Sequence, residues 1–144
     1  TAEFVRYGQM HRNTFIQSPV LLEDSLRYAP RAPSARPHPS PLYFAGQIVG
    51  VEGYAGNAAT GLLAGINAAR TVAGKDPVAP PPSTMLGALV HYVTHCEPKL
   101  FQPMKANFGI LPPLDTPPRD KRQRAIAHSE RARMDFEAWL NSLD

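Results

Sequence analysis

The sequence predicts an α/β fold, and three observations within one stretch carry that prediction. Leu42 to Ile48 is a short apolar run rich in β-forming residues. Glycines follow at positions 46, 50, 53 and 56. A small-residue segment from Ala58 to Val72 then places Ala58, Leu62, Ala64 or Gly65, Ile66 and Ala69 on one helical face. A strand, a Gly-rich turn and a helix in that order let backbone approach a ligand closely, while the free N–H groups and positive dipole end of the helix attract negative charge. The pattern implies an anionic or electron-accepting ligand at the turn. The same glycines also suit a tight connection with no ligand.

The remaining elements follow in chain order around two segments: residues 1–75, which hold the strand, turn and helix, and residues 76–144, a helical extension packed on the same domain. Phe4, Val5 and Tyr7 read as a short strand, and a chain that starts in mid-strand is expected to be a fragment. His11, Arg12, Asn13 and Thr14 form a polar cluster between Met10 and Phe15. Their side chains suit backbone hydrogen bonding in a loop as well as a ligand contact. Ser18 to Leu22 and Asp24 to Tyr28 are compatible with paired short strands or a helical turn. Prolines at 30, 33, 37, 39 and 41 make residues 29–41 an exposed polyproline-like loop, read as a solvated spacer with RNA contact through Arg31 and Arg36 as the alternative. Lys75 to Pro82 is a second proline linker. Ser83 or Thr84 caps the next helix, whose apolar face is Leu86, Leu89, Val90 and Val93 and which Pro98 stops. Phe101 to Pro113 reads as a strap burying Phe101, Met104, Phe108 and Leu111. Thr116 and Pro117 open a final helix. Ala125, Ala132, Phe136, Trp139, Leu140 and Leu143 keep helical spacing, so its second half is expected to pack and its first half to be a charged face.

Composition narrows the function classes. Only 43% of the 144 residues are hydrophobic and sixteen are proline, so much of the chain is expected to be loop. No apolar run reaches the roughly 18 to 20 residues of a membrane span, and no secretory signal opens the sequence. A single cysteine, Cys96, rules out an internal disulfide framework. A soluble, cytoplasmic protein with no membrane partner is expected. Net charge is +3, with the excess concentrated in Arg119, Lys121, Arg122, Arg124, Arg131 and Arg133 against Asp120 and Glu130. Lys121, Arg122, Arg124 and Arg131 are the candidate contacts to an RNA backbone, a solvated face being the default. His91 and His95 share a helix face, but no glutamate stands between them as in His-Glu-x-x-His, and Cys96 projects elsewhere. No metal site and no nucleophilic role for Cys96 are expected.

Specific motifs sharpen this reading. Tyr43-Phe44-Ala45-Gly46-Gln47 resembles the last FAD-binding strand of the two-dinucleotide-domain flavoproteins, with Gln47 where an acid usually stands. Gly46-Gln47-x-x-Gly50-x-x-Gly53-Tyr54 is similar to the tRNA-modifying flavoproteins of the GidA type. Met10 to Phe15, Gly50 to Tyr54 and Phe101-Gln102-Pro103-Met104 resemble the folate- and FAD-dependent tRNA (uracil-5-)-methyltransferases. The resemblance implies the C-terminal part of a Rossmann-like FAD/NAD(P)-binding flavoprotein domain, with proline-rich loops and a helical tail. It implies FAD, 5,10-methylenetetrahydrofolate and NAD(P)H as cofactors, and tRNA and the N-terminal remainder of the same protein as partners. On its terms, backbone of Gly46 and Gln47 lies along the ribityl chain and pyrophosphate of FAD, and Val51, Glu52, Gly53 and Tyr54 reach the isoalloxazine. His11 meets the folate pteridine, while Arg12 meets an anionic group or serves the fold. The uracil-attacking cysteine is expected upstream, so the chain holds no catalytic residue and is expected to be inactive alone, binding FAD weakly or not at all. Two departures stand out: the family usually has Glu where Gly56 stands and Asn at Lys105. The competing readings are a GidA-type enzyme acting on the anticodon wobble uridine and a non-catalytic fragment that docks RNA or protein.

Overall fold

A computed structural model describes residues 14–31 and 38–143. The expected strand at Phe4 to Tyr7, the residues His11 to Asn13 and residues 32–37 of the proline-rich loop lie outside the described residues. Within them the fold mixes helix and strand, with helix dominant. A single turn, α1 (Ser18–Leu21), is followed by a 3₁₀ turn (Gly46–Val49), β1 (Val51–Glu52), α2 (Tyr54–Val72), α3 (Met85–His95), β2 (Met104–Lys105), a second 3₁₀ turn (Phe108–Ile110) and α4 (Lys121–Asn141). The one sheet among the described residues pairs β1 with β2 in parallel, Val51 opposite Met104 and Glu52 opposite Lys105. None of the described helices is long and apolar enough to cross a membrane.

The core joins both halves of the chain. Leu22 and Leu26 from the first turns, Val49 and Val51 from the glycine-rich turn, Leu63 and Ala64 of α2, Leu89, Val90 and Val93 of α3, and Phe101 form one buried cluster. Its regular hydrogen bonding is sparse, because two-residue strands satisfy few backbone groups. Buried polar side chains of α2 fill the gap. Asn67, fully buried, donates through Nδ2 to Ser25 O at 2.9 Å and Val78 O at 2.8 Å, and its Oδ1 accepts from Val78 N at 2.8 Å. Thr60, also fully buried, accepts from Gly46 N at 3.1 Å and donates back into its own helix at Gly56 O, 2.8 Å.

Several expectations are corrected. Leu42 to Ile48 is not a strand. Its first residues do run antiparallel to Leu26 to Tyr28, with Tyr28 N donating to Leu42 O and Phe44 N to Leu26 O. Gly46, at φ +75°, then turns the backbone out of extended geometry into the 3₁₀ turn. α2 begins at Tyr54 rather than Ala58. Its buried face is Thr60, Leu63, Ala64 and Asn67, whereas Leu62 is 67% exposed and Ile66 45%. Helical spacing located the helix, but the need to satisfy loop backbone chose the inward side. α4 begins at Lys121, capped by Asp120, whose carboxylate accepts from Gln123 N at 2.9 Å. A carboxylate caps more strongly than the Thr116 and Pro117 pair. The strap buries Phe101 but leaves Phe108 exposed, and the second half of α4 leaves Met134, Phe136 and Leu140 exposed.

The linker and α3 follow the sequence reading. Thr84 caps α3 by accepting from Gly87 N at 3.0 Å, the helix stops at His95, and Leu89, Val90 and Val93 are buried. Removing Asn67's amide strands three backbone groups at roughly 1 to 3 kcal/mol each. Asn67→Leu is therefore expected to lower unfolding stability by about 3 kcal/mol or more, while Leu62→Ser stays within about 0.5 kcal/mol of the parent. Urea unfolding of the two variants checks this; the reverse ranking would show that the outer face of α2 is the structural one.

Candidate functional site

The turn between the 3₁₀ segment and α2 gathers the residues singled out for cofactor binding. Gly46 and Gln47 open the 3₁₀ turn, Val51 and Glu52 form β1, and Gly53 and Tyr54 start α2. β1 is held at its back by β2 and by Met104 N donating to Gly50 O at 2.9 Å. Ile16 N donates to Ile48 O at 2.8 Å, and the buried Ser18 hydroxyl donates to Val49 O at 2.9 Å. The turn is thus fixed on both flanks before any ligand arrives.

Gly53 is the N-cap of α2 at φ +88°, a conformation L side chains rarely adopt, and a Cβ there would meet nothing within 4 Å. No side chain caps the helix. The N–H groups of Tyr54, Ala55 and Gly56, in the first turn, therefore have no intrahelical acceptor. No acidic residue occupies the first turn to offset the dipole. Tyr54 is 97% exposed. Beneath the turn, Asn57 Oδ1 is buried with no hydrogen-bond partner among the described residues, beside the position a Cβ on Gly46 would take. A donor-rich helix start, an exposed aromatic ring and an orphaned acceptor are thus placed together. That arrangement can hold a group with negative charge, a planar face and hydroxyl donors.

The Gly56 departure has a packing basis. A Cβ at Gly56 would lie 2.8 Å from Val51 Cγ1 and 3.3 Å from Leu89 Cδ2, so glycine lets α2 sit close on β1 and α3. Lys105 is exposed in β2, and its carbonyl accepts from Asn107 Nδ2 at 2.8 Å. Asn57 was not singled out from the sequence, where it reads as one polar residue in a small-residue helix; only its burial marks it.

The basic tail divides into two groups. Lys121 and Arg122 are exposed at the start of α4, and Arg124 beside them donates to Pro118 O and Arg119 O. Arg131 faces inward, donating to Pro113 O and Pro112 O at 2.7 Å each, and so pins α4 to the strap. His128, the one buried residue of α4, stacks obliquely on Phe108 at 5.9 Å. His91, His95 and Cys96 stand at the end of α3, with Cys96 half-buried.

The family model described as glucose inhibited division protein A matches residues 1–76, and the chain belongs to that family. Within reach of that class, the chain is 49% identical over 142 residues to the methylenetetrahydrofolate–tRNA-(uracil-5-)-methyltransferase TrmFO of Pelotomaculum thermopropionicum, covering 99% of this chain and 31% of the relative. It is 51% identical to the TrmFO of Thermosynechococcus vestitus over 142 residues, 99% of this chain and 29% of the relative. It is 55% identical to that of Halalkalibacterium halodurans over 123 residues, 85% of this chain and 26% of the relative. The chain spans about a third of the length of these relatives or less.

Burial first, then Arg131 and then Arg124, hold the His128 imidazole below its ordinary pKa of 6.5. The unfolded chain therefore takes up this proton first as pH falls. The stability that neutral His128 contributes is whole above about pH 6.5 and is lost on descending through the lowered native value. Unfolding stability is expected to drop more between pH 7 and pH 5 in the parent than in His128→Gln, as read by urea titration at both pH values; equal drops would remove His128 from the account.

Proposed function

We propose that this chain supplies the flavin-facing turn and an RNA-facing tail of a folate- and FAD-dependent enzyme that methylates carbon 5 of a uridine in the T loop of tRNA. The observation that carries the reading is the identity of about half the residues, sustained over nearly the whole chain, with proteins named methylenetetrahydrofolate–tRNA-(uracil-5-)-methyltransferase. The turn fits a flavin on its own chemistry. Its three free amides suit an anionic ring system, and Asn57 Oδ1 lacks the donor that a ribityl hydroxyl or a bridging water would provide. We read the whole as the C-terminal part of a Rossmann-like FAD/NAD(P)-binding domain, residues 1–75, with residues 76–144 as its extension, in a cytoplasmic enzyme.

FAD held at this turn would supply, once reduced by NAD(P)H, the electrons needed to turn a methylene from methylenetetrahydrofolate into a methyl group. The chain's own residues do the positioning. Backbone of Gly46 and Gln47 would hold the extended part of the cofactor, and Val51, Glu52 and Gly53 its ring. The amides of Tyr54, Ala55 and Gly56 stabilise negative charge in a place where protein dipoles need no reorganisation. Tyr54 offers its exposed ring as a stacking face. By the family resemblance His11 is assigned to the folate pteridine, and Arg12 to an anionic group or to the fold itself. The nucleophilic cysteine belongs to the length of the relatives that this chain does not span, because Cys96 lies at the far end of α3 with its Sγ toward Glu97 O.

The tail has its own electrostatic logic. Lys121, Arg122 and Arg124 sit in the first turn of α4, at the positive end of the helix dipole, where each cation is disfavoured by roughly 0.3 to 1 kcal/mol. Phosphates of a tRNA backbone relieve that repulsion. The outward face of α2, with Leu62, Ile66 and Val72 exposed, is where the remainder of the polypeptide packs.

In the full-length protein, Tyr54→Ala is expected to weaken FAD retention about tenfold. The triple change Lys121→Ala, Arg122→Ala, Arg124→Ala is expected to weaken tRNA binding while sparing FAD, and to lower the salt dependence by about one contact per residue removed. Methyl incorporation from labelled methylenetetrahydrofolate into a T-loop uridine is the direct test. Modification of the wobble uridine instead would move the chain to the GidA-type branch, and binding of tRNA with no modification would leave a docking fragment. The 144 residues alone are expected to be inactive and poor in flavin; a yellow preparation of them would refute that part.

A further inference from the structure

His91 and His95 stand one turn apart on α3 with their rings stacked, centroids 4.1 Å apart and planes 22° from parallel. The turn after α1 brings a carboxylate against them. Asp24 Oδ1 lies 3.2 Å from His95 Nδ1, and one potential ligand atom from each of Asp24, His91 and His95 lies within 4.8 Å of the other two. Neither the flavin-facing turn nor the basic tail uses these side chains. We propose that Asp24, His91 and His95 form a binding site for a divalent cation of the zinc type, which ties the Asp24 turn to α3.

The donor set selects the cation. Two imidazoles and one carboxylate suit zinc and its d-block neighbours, whereas magnesium and calcium take oxygen ligands. Bonds of about 2.0 to 2.2 Å around a tetrahedral ion put neighbouring ligand atoms roughly 3.3 Å apart. The Asp24 to His95 separation already has that value, and both histidine rings are exposed, so they can turn to bring in the third ligand atom from within 4.8 Å. Three protein ligands leave a position for water. The carboxylate is also oriented from behind: Thr94, fully buried, donates from Oγ1 to Asp24 Oδ1 at 2.5 Å. Thr94 Oγ1 also lies 3.0 Å from His95 Nδ1. Glu23 is engaged by Arg27 at 2.8 Å, and Arg31 is turned to the carbonyls of Pro19 and Thr94. The helix alone concealed this arrangement, because the acid comes from a different element and not from between the histidines.

The test is zinc titration of the metal-stripped full-length protein by calorimetry, with competition from a chromophoric chelator. One equivalent of Zn²⁺ is expected to bind at this site and to raise the melting temperature. His91→Ala, His95→Ala and Asp24→Asn are each expected to weaken that binding at least tenfold, and Thr94→Val less, with flavin content and circular dichroism unchanged in all four. Zinc binding that is unaltered by His91→Ala together with His95→Ala would overturn the proposal. So would the absence of uptake by the folded parent in excess zinc, which would leave Asp24 and His95 as a simple ion pair.

Discussion

The fold depends on one constraint: a chain with almost no regular sheet must still pair the backbone groups it buries. The solution is the polar inner face of α2. Asn67 ties the Ser25 turn and the Val78 linker to the helix through three bonds, and Thr60 does the same for Gly46. Each such bond has a modest net value, about 1 kcal/mol, but leaving the backbone partner unpaired costs more. Apolar packing by Leu63, Leu89, Val90 and Phe101 then has a defined surface on which to close.

The candidate turn inherits its rigidity from this arrangement. Gly46 is held by Thr60, Val49 by Ser18, and Gly50 by Met104, so the segment leading into α2 is tethered at successive residues. The tethers all come from the protein side. The ligand side shows an uncapped helix start, a ring in solvent and the orphaned Asn57 oxygen. Polar groups normally find partners when buried, and a helix start normally finds a cap. An unpartnered buried acceptor and a helix start with no side-chain cap meet at this turn, which is what singles it out as a candidate site.

How much of this was legible in the sequence varies with the kind of interaction. α3 was readable throughout, because a Thr cap, an apolar stripe and a downstream proline are local signals. The position of α2 was readable to within about a turn, and the glycines marked the tight turn that leads into it. Its buried face was not, since hydrophobic periodicity follows Leu62 and Ile66 outward while the inward choice rests on Asn67 and Thr60 bonding segments far away in the chain. The run from Leu42 to Ile48 has strand composition, but a single residue at positive φ, Gly46, redirects it. Asp24 beside His91 and His95 was hidden for the same reason as the face of α2: long-range contacts leave no period in the sequence.

The exposed residues complete the physical picture. Leu62, Ile66 and Val72 on α2, and Ile126, Met134, Phe136 and Leu140 on α4, are apolar and largely uncovered. Single exposed hydrophobes are ordinary, but two helices each carrying a run of them define surfaces that water does not favour. α4 is fastened at few points, chiefly Arg131 on the Pro112 and Pro113 carbonyls and His128 against Phe108. Its first turn sets cations at the positive dipole end, offset by the Asp120 cap and by the carbonyls of Pro118 and Arg119 that accept from Arg124. A helix so weakly held, apolar on one side and electrostatically frustrated at its start, gains stability only when both are answered: the apolar side by more protein and the cationic end by an anion. The two demands sit on one element, so α4 offers an apolar surface and a cationic end at once.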